Sequence, residues 1–262
     1  MTRPVFLGED LRPDPASVGV GDRVTLAGAE GRHAASVRRI GAGEWVDVVD
    51  GAGLRLTCEV AGADKSSLSL VVREVLQEEC PVPEIVLVQA LAKGGRDEAA
   101  VEICTEIGID RVIPWASQRA IVQWKGPKAD KGRAKWEGVA RAAAKQSRRA
   151  FVPTVEGVMD SRELASWVAS LTDEAGVAFV CHEEASESLG AALASLQEAG
   201  ADASLPPRVA LIVGPEGGIG PEETGALVDA GARMIGLGAN VLRSSTAGAV
   251  ALTLIRAAAG AY

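Results

Sequence analysis

The stretch LIVGPEGGIGPEET, residues 211–224, passes from an apolar run through a glycine-rich turn into the start of a helix. Apolar residues bounded by glycines are typical of a strand inside a sheet. Pro221 and the two glutamates after it are typical of a first helical turn, because proline loses no hydrogen bond there and acids favour the helix N-terminus. The sequence therefore predicts a strand, a turn almost free of side chains, and a helix. By itself this turn is either a ligand loop or a tight corner.

A second stretch of the same kind, LGANVLRSSTAGAVAL, occupies residues 237–252. It is interpreted as a strand end, a turn and an alanine-rich helix that Ser244 or Ser245 caps. Arg243 lies just before that cap, where the helix dipole disfavours a cation. We therefore expect Arg243 to face a polar cleft or an anion.

Beyond residue 82 the chain alternates between apolar strands and helical segments, which predicts an α/β domain with a mostly parallel sheet. The predicted strands are EIVLVQAL, RVIPW, GVAFVC, RVALIV and RMIGLG. The predicted helices are RDEAAVEICTEIG and the ranges 131–147, 161–171, 186–198, 221–230 and 245–259. Ligands of such sheets bind at the carboxyl ends of the strands. Three strand ends are candidates: Cys181–His182, Gly214–Gly220 and Gly238–Thr246.

The first 80 residues show short β-type runs between glycine turns. They predict a small, largely antiparallel β-barrel with one helical insertion near EGRHAASVRRIG, residues 30–41. The stretch QEECPVPE, with two prolines and three acids, interrupts this pattern and is interpreted as a linker. We therefore expect one domain at residues 1–76 and a second at residues 82–262.

The net charge of −8 hides an uneven distribution. Residues 111–150 hold eleven Lys or Arg and two acids, a local balance of +9, so the rest of the chain carries −17. Three of the five tryptophans lie in the same segment, and rings among cations suit stacking on unpaired bases. Each of these residues by itself is explained by a solvated helix face or by a tryptophan in the core. The uneven distribution of charge as a whole favours RNA as the partner.

The sequence contains no motif for a nucleotide-phosphate site or a metal site, and no signal or membrane segment. The glycine turn matches neither the dinucleotide-binding nor the P-loop motif, so nucleotide phosphate is disfavoured. Four scattered cysteines and two histidines predict no metal site. The cysteines are interpreted as reduced, buried residues of a cytoplasmic protein. The first residues contain no long apolar run, so neither a signal peptide nor a membrane span is expected.

Two stretches in combination, VGPEGGIGPEE and LGANVLRSSTAG, resemble the signature of the bacterial 16S rRNA uridine-N3 methyltransferase family of the SPOUT superfamily. QALAKGGR, TEIGIDRVIPW and AAKQSRRAFVPTV extend the resemblance, and HAASVRRIGAGEWVDVVDG is similar to the amino-terminal RNA-binding barrel of that family. The resemblance implies a PUA-like β-barrel followed by a SPOUT α/β domain with a deep trefoil knot. It also implies S-adenosylmethionine (SAM) as cofactor and a homodimer with its sites near the subunit interface.

The resemblance further implies which residues bind SAM. Those of the first loop are Val213, Gly214, Glu216, Gly217 and Gly218. Those of the second loop are Leu237, Gly238, Val241, Leu242, Arg243, Ser244 and Thr246.

Three positions depart from the family pattern. Many family members have an acid where this chain has Ser245 and a lysine near the position of Ile103. The family usually has a capping Ser or Thr where this chain has Gly220. We therefore expect the helix after Gly220 to be more weakly capped.

Methylation of uracil N3 requires that the N3 proton leaves and that the developing anion is stabilised. Arg243 is expected to supply the stabilising cation. Glu216 is interpreted as a brace that bonds backbone amides of its loop rather than as the proton acceptor. Ser245 is a candidate for orienting the base, and no residue is an obvious general base.

Cations outside the cofactor loops are expected to contact RNA phosphates. Arg141, Lys145 and Arg148 are spaced to share one face of a helix, and Arg38 and Arg39 form a second basic point on the barrel. The target uridine is expected to be unpaired or flipped, because N3 is hidden in a Watson–Crick pair. The predicted RNA-binding residues are His33, Arg38, Arg39, Lys93, Arg119, Arg141, Lys145, Arg148 and Arg149.

The expected partner is 16S rRNA, in the assembled small ribosomal subunit. One alternative is a non-catalytic RNA-binding factor of ribosome assembly, against which the intact Gly217, Gly218 and Arg243 argue. Another is a SPOUT enzyme that methylates a ribose hydroxyl or a tRNA guanine. A measurement of SAM binding and the mass of the modified nucleoside separate these functions.

Overall fold

The computed structural model of the chain describes residues 3–200 and 204–262. Within these ranges the chain forms two compact units. The first contains the residues up to Cys80 and the separate segment Ala144–Val152. The second contains Pro81–Ala143 and Pro153–Tyr262.

A six-stranded sheet forms the first unit. Its strands are β1 (Val5–Leu7), β2 (Leu11–Arg12), β3 (Arg23–Leu26), β4 (Trp45–Val49), β5 (Leu54–Ala63) and β6 (Leu68–Gln77). Their spatial order is β1-β4-β5-β6-β3-β2; β1 is parallel to β4 and the other pairs are antiparallel. The helical insertion consists of α1 (Gly28–Arg32) and a π-helical turn, His33–Val37. The predicted, largely antiparallel β unit with a helical insertion is therefore confirmed.

The segment Ala144–Val152 belongs to the first unit, although the sequence pattern did not indicate it. The backbone N–H of Gly53 donates to the carbonyl of Ala150 at 3.2 Å, and the N–H of Val152 donates to the carbonyl of Gly51 at 2.9 Å. These bonds join residues about a hundred positions apart, a distance that no local pattern encodes.

A parallel sheet forms the second unit. Its strands are β7 (Glu84–Ala90), β8 (Arg111–Ala116), β9 (Thr154–Val155), β10 (Met159–Asp160), β11 (Val177–Cys181), β12 (Arg208–Val213) and β13 (Arg233–Ile235). The order is β10-β8-β7-β12-β11-β13, and β9 also pairs with β8. All of these pairs are parallel. The helices are α2 (Arg96–Ile107), α3 (Pro127–Gln146), α4 (Ser161–Asp173), α5 (Leu189–Ala199), α6 (Pro221–Asp229) and α7 (Ser244–Ala258).

Helices cover both faces of this sheet. Ile85 and Leu87 of β7 are buried in one cluster with residues of α2, α5 and α7. Val86 and Val88 are buried in a second cluster with residues of α4 and α6. Because alternate side chains of β7 enter two different cores, the strand is continuously apolar from Ile85 to Val88. The predicted α/β class and its parallel sheet are therefore confirmed.

The end of α3 differs from the prediction. The helix ends at Gln146, and Arg148 has a left-handed backbone with φ of 63°. Arg148 is therefore not on a helical face with Arg141 and Lys145, and that prediction is wrong. The predicted trefoil knot concerns the threading of the chain rather than the strand order, and it stays a prediction. None of the helices in the described ranges is both long and apolar enough to cross a membrane.

Candidate active site

The strands β11, β12 and β13 end at one cavity of about 920 Å³. The loops that follow the three strands supply most of its lining, at residues 181–185, 213–219 and 236–244. Arg96 and Arg119 reach it from elsewhere in the second unit. A cavity of this size is typical of sites for small molecules and cofactors. The three strand ends that the sequence indicated therefore meet at one site.

The glycine turn after β12 forms one wall of the cavity. A Cβ atom at Gly217 would lie 3.2 Å from the carbonyl oxygen of Arg119, so a side chain there would press on that backbone. Gly218 has φ of 71°, in the left-handed region that glycine adopts at no steric cost. The turn thus presents bare backbone to the cavity. The predicted first-loop residues that line it are Val213, Gly214, Glu216, Gly217 and Gly218.

The loop after β13 forms a second wall. Gly238 has φ of 125°, a conformation that L side chains rarely adopt. The predicted second-loop residues that line the cavity are Leu237, Gly238, Val241, Leu242, Arg243 and Ser244. Ser245 and Thr246, the two other candidates, do not line it. The structure therefore brings Arg243 and Glu216 to the cavity but not the third catalytic candidate, Ser245.

The start of α7 differs from the predicted serine cap. The helix begins at Ser244, so the residue at the N-cap is Arg243, whose side chain makes no capping hydrogen bond. The prediction that Ser244 or Ser245 caps the helix is wrong, because both lie inside its first turn. Arg243 is exposed and lines the cavity, as expected for a cation that is not used to stabilise the helix.

Ser244 contributes a buried hydroxyl without a partner. The residue is 8% exposed, and its Oγ has no hydrogen-bond partner in the structure. Buried polar atoms are nearly always paired in native proteins. Because Ser244 lines the cavity, a ligand there is the natural source of the missing hydrogen bond.

Glu216 is held by two groups, one from the loop between β7 and α2 and one from the first residue of α2. Its Oε1 accepts from Arg96 Nη1 at 2.7 Å and from the backbone N–H of Lys93 at 3.3 Å. Partial burial raises the pKa of Glu216, but hydrogen bonds from its own N–H, Arg96 and Lys93 outweigh that effect, and the pKa lies below its ordinary value. A carboxylate that stays ionised in this way is a weak base. This geometry favours the bracing interpretation of Glu216.

The segment after β11 supplies lining residues that the predicted residue set did not include. His182, Glu183, Glu184 and Ala185 all line the cavity, and His182 Nδ1 accepts from the N–H of Glu184 at 3.2 Å. The end of β11 was recognisable in the sequence, but acidic residues such as Glu183 and Glu184 in a short loop form no motif by which they could be predicted.

Burial raises the pKa of the neighbouring Cys181 thiol to about 12, so this residue is not a thiolate nucleophile at neutral pH.

The predicted RNA-binding residues of the second unit have different surroundings. Arg119 lines the cavity and donates from Nη1 to the carbonyl of Gly217 at 3.3 Å. Lys93 is exposed, and only its backbone N–H contacts Glu216. Arg141 is exposed on α3. Of these three, only Arg119 is placed at the candidate site.

The predicted RNA-binding residues of the first unit lie at two helix ends. Lys145 Nζ donates to both carboxylate oxygens of Glu30, at 2.9 and 2.7 Å, and lies 5.0 Å from the centre of the Phe6 ring. A phosphate would have to compete with Glu30 for this ammonium. Of the other predicted residues, two are half-buried, His33 and Arg149, and three are exposed, Arg38, Arg39 and Arg148.

Metal-binding clusters are absent from the residues that the structure describes, since no group of three His, Cys, Asp or Glu side chains there could hold an ion. The cysteines in these ranges are free.

Two family models match the chain and define its class. A model of the RNA methyltransferase PUA domain matches residues 26–73, and a model of the RNA methyltransferase domain matches residues 78–256. The second model covers both the parallel sheet and the cavity. Fold and site thus define an RNA methyltransferase that carries a PUA domain.

Within that class, the chain belongs to the ribosomal RNA small subunit methyltransferase E family. The protein of that name from Mycobacterium bovis is 41% identical over 93% of this chain and 87% of its own length. The Bacillus subtilis protein of the same name is 29% identical over 88% of each chain. The recognition of the family from its two loops is therefore confirmed.

Solved structures show the same fold. The small subunit methyltransferase E of Neisseria gonorrhoeae, bound to SAM, has a TM-score of 0.79 with 23% identity over 98% of both chains. A putative methyltransferase of Legionella pneumophila, in complex with SAM, has a TM-score of 0.77 with 24% identity over 98% of both chains.

Proposed function

We propose that this chain transfers the methyl group of SAM to N3 of a uridine in small-subunit (16S) ribosomal RNA. The observation that carries the proposal is the cavity at the ends of β11, β12 and β13, because it places a bare glycine turn beside Arg243. The names of the relatives from Mycobacterium bovis and Bacillus subtilis support ribosomal RNA of the small subunit as the substrate.

The cavity suits SAM in shape and charge. Its lining holds three glutamates and three arginines, which complement a ligand with one carboxylate, one ammonium and one sulfonium; they are Glu183, Glu184, Glu216, Arg96, Arg119 and Arg243. The left-handed glycines leave room for the adenosyl group against the backbone. The unpaired hydroxyl of Ser244 is available for a hydrogen bond to the bound SAM.

Each residue then has a defined task in the transfer. When bound, SAM supplies an electrophilic methyl group. Uracil N3 is protonated at neutral pH, so negative charge develops on the base as the proton passes to solvent water and the methyl group takes its place on N3. Arg243, exposed at the cavity, stabilises that charge. Glu216, ionised and bound to Arg96, holds the glycine turn in place and does not take the proton.

RNA reaches this site as an unpaired or flipped uridine, because N3 is otherwise engaged in base pairing. Arg119 lines the cavity, so we expect it to contact the nucleotide, and we expect the exposed arginines of the first unit, Arg38, Arg39 and Arg148, to contact phosphates. We expect the assembled small ribosomal subunit as the substrate and the cytoplasm as the compartment. The free cysteines agree with a reducing compartment.

The protein acts as a homodimer in this proposal. Helices α2 and α7 pack against each other and expose the apolar side chains of Ile103 (39%) and Leu254 (41%). Apolar residues exposed on adjacent helices are typical of a surface that a partner covers. We propose that a second copy of this chain covers this face.

The test is the mass of the product nucleoside. Small ribosomal subunits from cells that lack the corresponding enzyme are incubated with the protein and isotope-labelled SAM, and their nucleosides are separated by mass spectrometry. We expect labelled 3-methyluridine. A labelled ribose or guanine would assign the enzyme to another SPOUT activity, and absence of SAM binding by calorimetry would favour the assembly factor.

A further inference from the structure

Glu223 is a buried carboxylate that the proposed chemistry does not use. It lies on α6, in the helical turn that follows the cofactor loop, and is 2% exposed. Within residues 3–200 and 204–262 it receives hydrogen bonds from neutral donors and has no ion pair with a basic side chain. Burying a carboxylate without a cation is costly, so the position needs an explanation.

The hydrogen bonds of Glu223 join three segments of the second unit. Oε1 accepts from the backbone N–H of Gln118 at 2.8 Å and from the hydroxyl of Ser161. Oε2 accepts from the backbone N–H of Gly220 at 3.4 Å. The Ser161 hydroxyl in turn accepts from Trp115 Nε1 at 3.1 Å. One side chain thus connects the segment after β8, the first turn of α4 and the last residue of the glycine loop.

Two of these contacts reach the cofactor loop by different routes. The bond to Gly220 fixes the end of the glycine turn directly. The bond to Gln118 fixes the backbone beside Arg119, whose guanidinium donates to the carbonyl of Gly217 at 3.3 Å. Glu223 therefore constrains the turn at its last residue and, through Arg119, in its middle.

We propose that Glu223 is a positioning residue that holds the glycine turn and the Arg119 segment in the arrangement that receives SAM. The inference rests on the proposed function, because it takes SAM as the ligand of this cavity. Preorganisation of this kind spares the ligand the cost of ordering the loop when it binds.

The contacts of Glu223 use both of its oxygens as hydrogen-bond acceptors. The groups that face Glu223 are two backbone N–H donors and one hydroxyl, whose oxygen is already occupied by Trp115. A carboxylate only accepts and can satisfy all three donors. A glutamine at the same position has one accepting oxygen, and its NH₂ group would oppose one of the backbone N–H donors. Glu223→Gln therefore disturbs the contacts with almost no change in volume.

The experiment compares Glu223→Gln with Glu222→Gln, the same change at the exposed neighbour on α6. SAM affinity is measured by calorimetry, and kcat and the KM for SAM are measured on small ribosomal subunits. We expect Glu223→Gln to raise the Kd and the KM for SAM about tenfold or more, as for other residues that orient the groups contacting a ligand. The kcat at saturating SAM and the affinity for RNA should be unchanged, and Glu222→Gln should match the wild type.

Ser161→Ala provides a second variant, because it removes one donor to Glu223 without touching the cavity lining. It should raise the Kd for SAM by a smaller factor, and it decides the question if Glu223→Gln does not fold. If Glu223→Gln folds and binds SAM with wild-type affinity, the positioning role is overturned. If Glu223→Gln does not fold, wild-type SAM affinity in Ser161→Ala overturns it. A fall in kcat without a change in KM would also overturn it. If the wild type itself binds no SAM, the proposed function fails rather than this inference.

Discussion

Arg243 is the residue on which the proposed chemistry depends most directly. Its side chain is exposed at the cavity and makes no capping bond to α7. We expect Arg243→Ala to keep most of the affinity for SAM and to lose about 100-fold or more in kcat, roughly 3 kcal/mol, as when one stabilising donor is removed from a developing anion. Calorimetry with SAM and turnover on small ribosomal subunits measure the two effects separately.

Arg243→Lys is the matched control for this prediction. It keeps the positive charge but loses the planar fork of the guanidinium, so it should recover part of the rate. Normal turnover by Arg243→Ala would remove the residue from the mechanism.

Gly218 tests whether the glycine turn is a ligand loop. Its φ of 71° strains any β-branched residue, and the space around it belongs to the cavity. We expect Gly218→Val to abolish measurable SAM binding. Gly225→Val on α6, where a Cβ atom meets nothing within 4 Å, serves as the control and should bind SAM normally. A folded Gly218→Val protein with unchanged SAM affinity would mean that the turn is only a corner.

At the scale of single residues, the sequence predicted the two loops well but not the contacts within them. Glycines and Arg243 are recognisable because their residue types are unusual at a strand end. The partners of Glu216 lie about 120 positions away along the chain, and no local pattern could reveal them. Ser245 was a candidate by type, but α7 starts one residue before it and Ser245 is not among the residues that line the cavity.

At the scale of elements, two helical segments, the helical insertion of the first unit and α3, are followed by an arginine in a left-handed conformation where glycine is the usual residue. Arg39 has φ of 54° and Arg148 has φ of 63°. After Arg148, the N–H of Arg149 donates to the carbonyl of Ala144 at 2.9 Å, a bond pattern typical of helix ends with glycine in the left-handed position. An arginine that tolerates this backbone is a candidate for a role other than stability.

Arg148→Gly is expected to change stability and RNA affinity in opposite directions. The free energy of unfolding should rise by about 0.5–1 kcal/mol as the strain is relieved, partly offset by the greater freedom of glycine in the unfolded chain. RNA binding should weaken, and the slope of log affinity against log salt should fall by nearly one for the lost phosphate contact. Denaturant unfolding and binding at several salt concentrations measure both.

Arg148→Ala separates the two effects, because it removes the same charge but keeps the strained backbone. It should weaken RNA binding as much as the glycine variant without the gain in stability. Wild-type RNA affinity and salt slope in both variants would show that Arg148 is merely solvated.

The same elements show where sequence patterns reach their limit. Hydrophobic periodicity predicted the strands and helices of the second unit, because each strand enters two cores and each helix covers one. It missed the short strands β1 and β2, which are too brief for a period to show. The spacing of the cations, rather than hydrophobic periodicity, extended α3 to Arg148, since the left-handed residue that follows the helix is not the glycine that normally marks such an end.

At the scale of the whole molecule, the proposed dimer depends on the exposed face of α2 and α7. We expect Leu254→Glu to convert the protein to a monomer, because it would place a charge where the proposed dimer would bury an exposed apolar side chain. Light scattering after size-exclusion chromatography gives the mass. Val228→Glu, a similarly exposed position on α6, is the control and should keep the wild-type mass. A monomeric wild type, or a dimeric Leu254→Glu, would exclude this face.

The division of the first unit between two stretches of chain affects how the protein is made. Residues up to Cys80 leave the ribosome first, but the segment Ala144–Val152 that completes their unit is synthesised more than sixty residues later. Domains of most proteins fold in order as they emerge. Here all six strands of the amino-terminal sheet are translated by Gln77, but the contacts of that unit with Ala144–Val152 can form only after α2, β8 and α3 have also been translated.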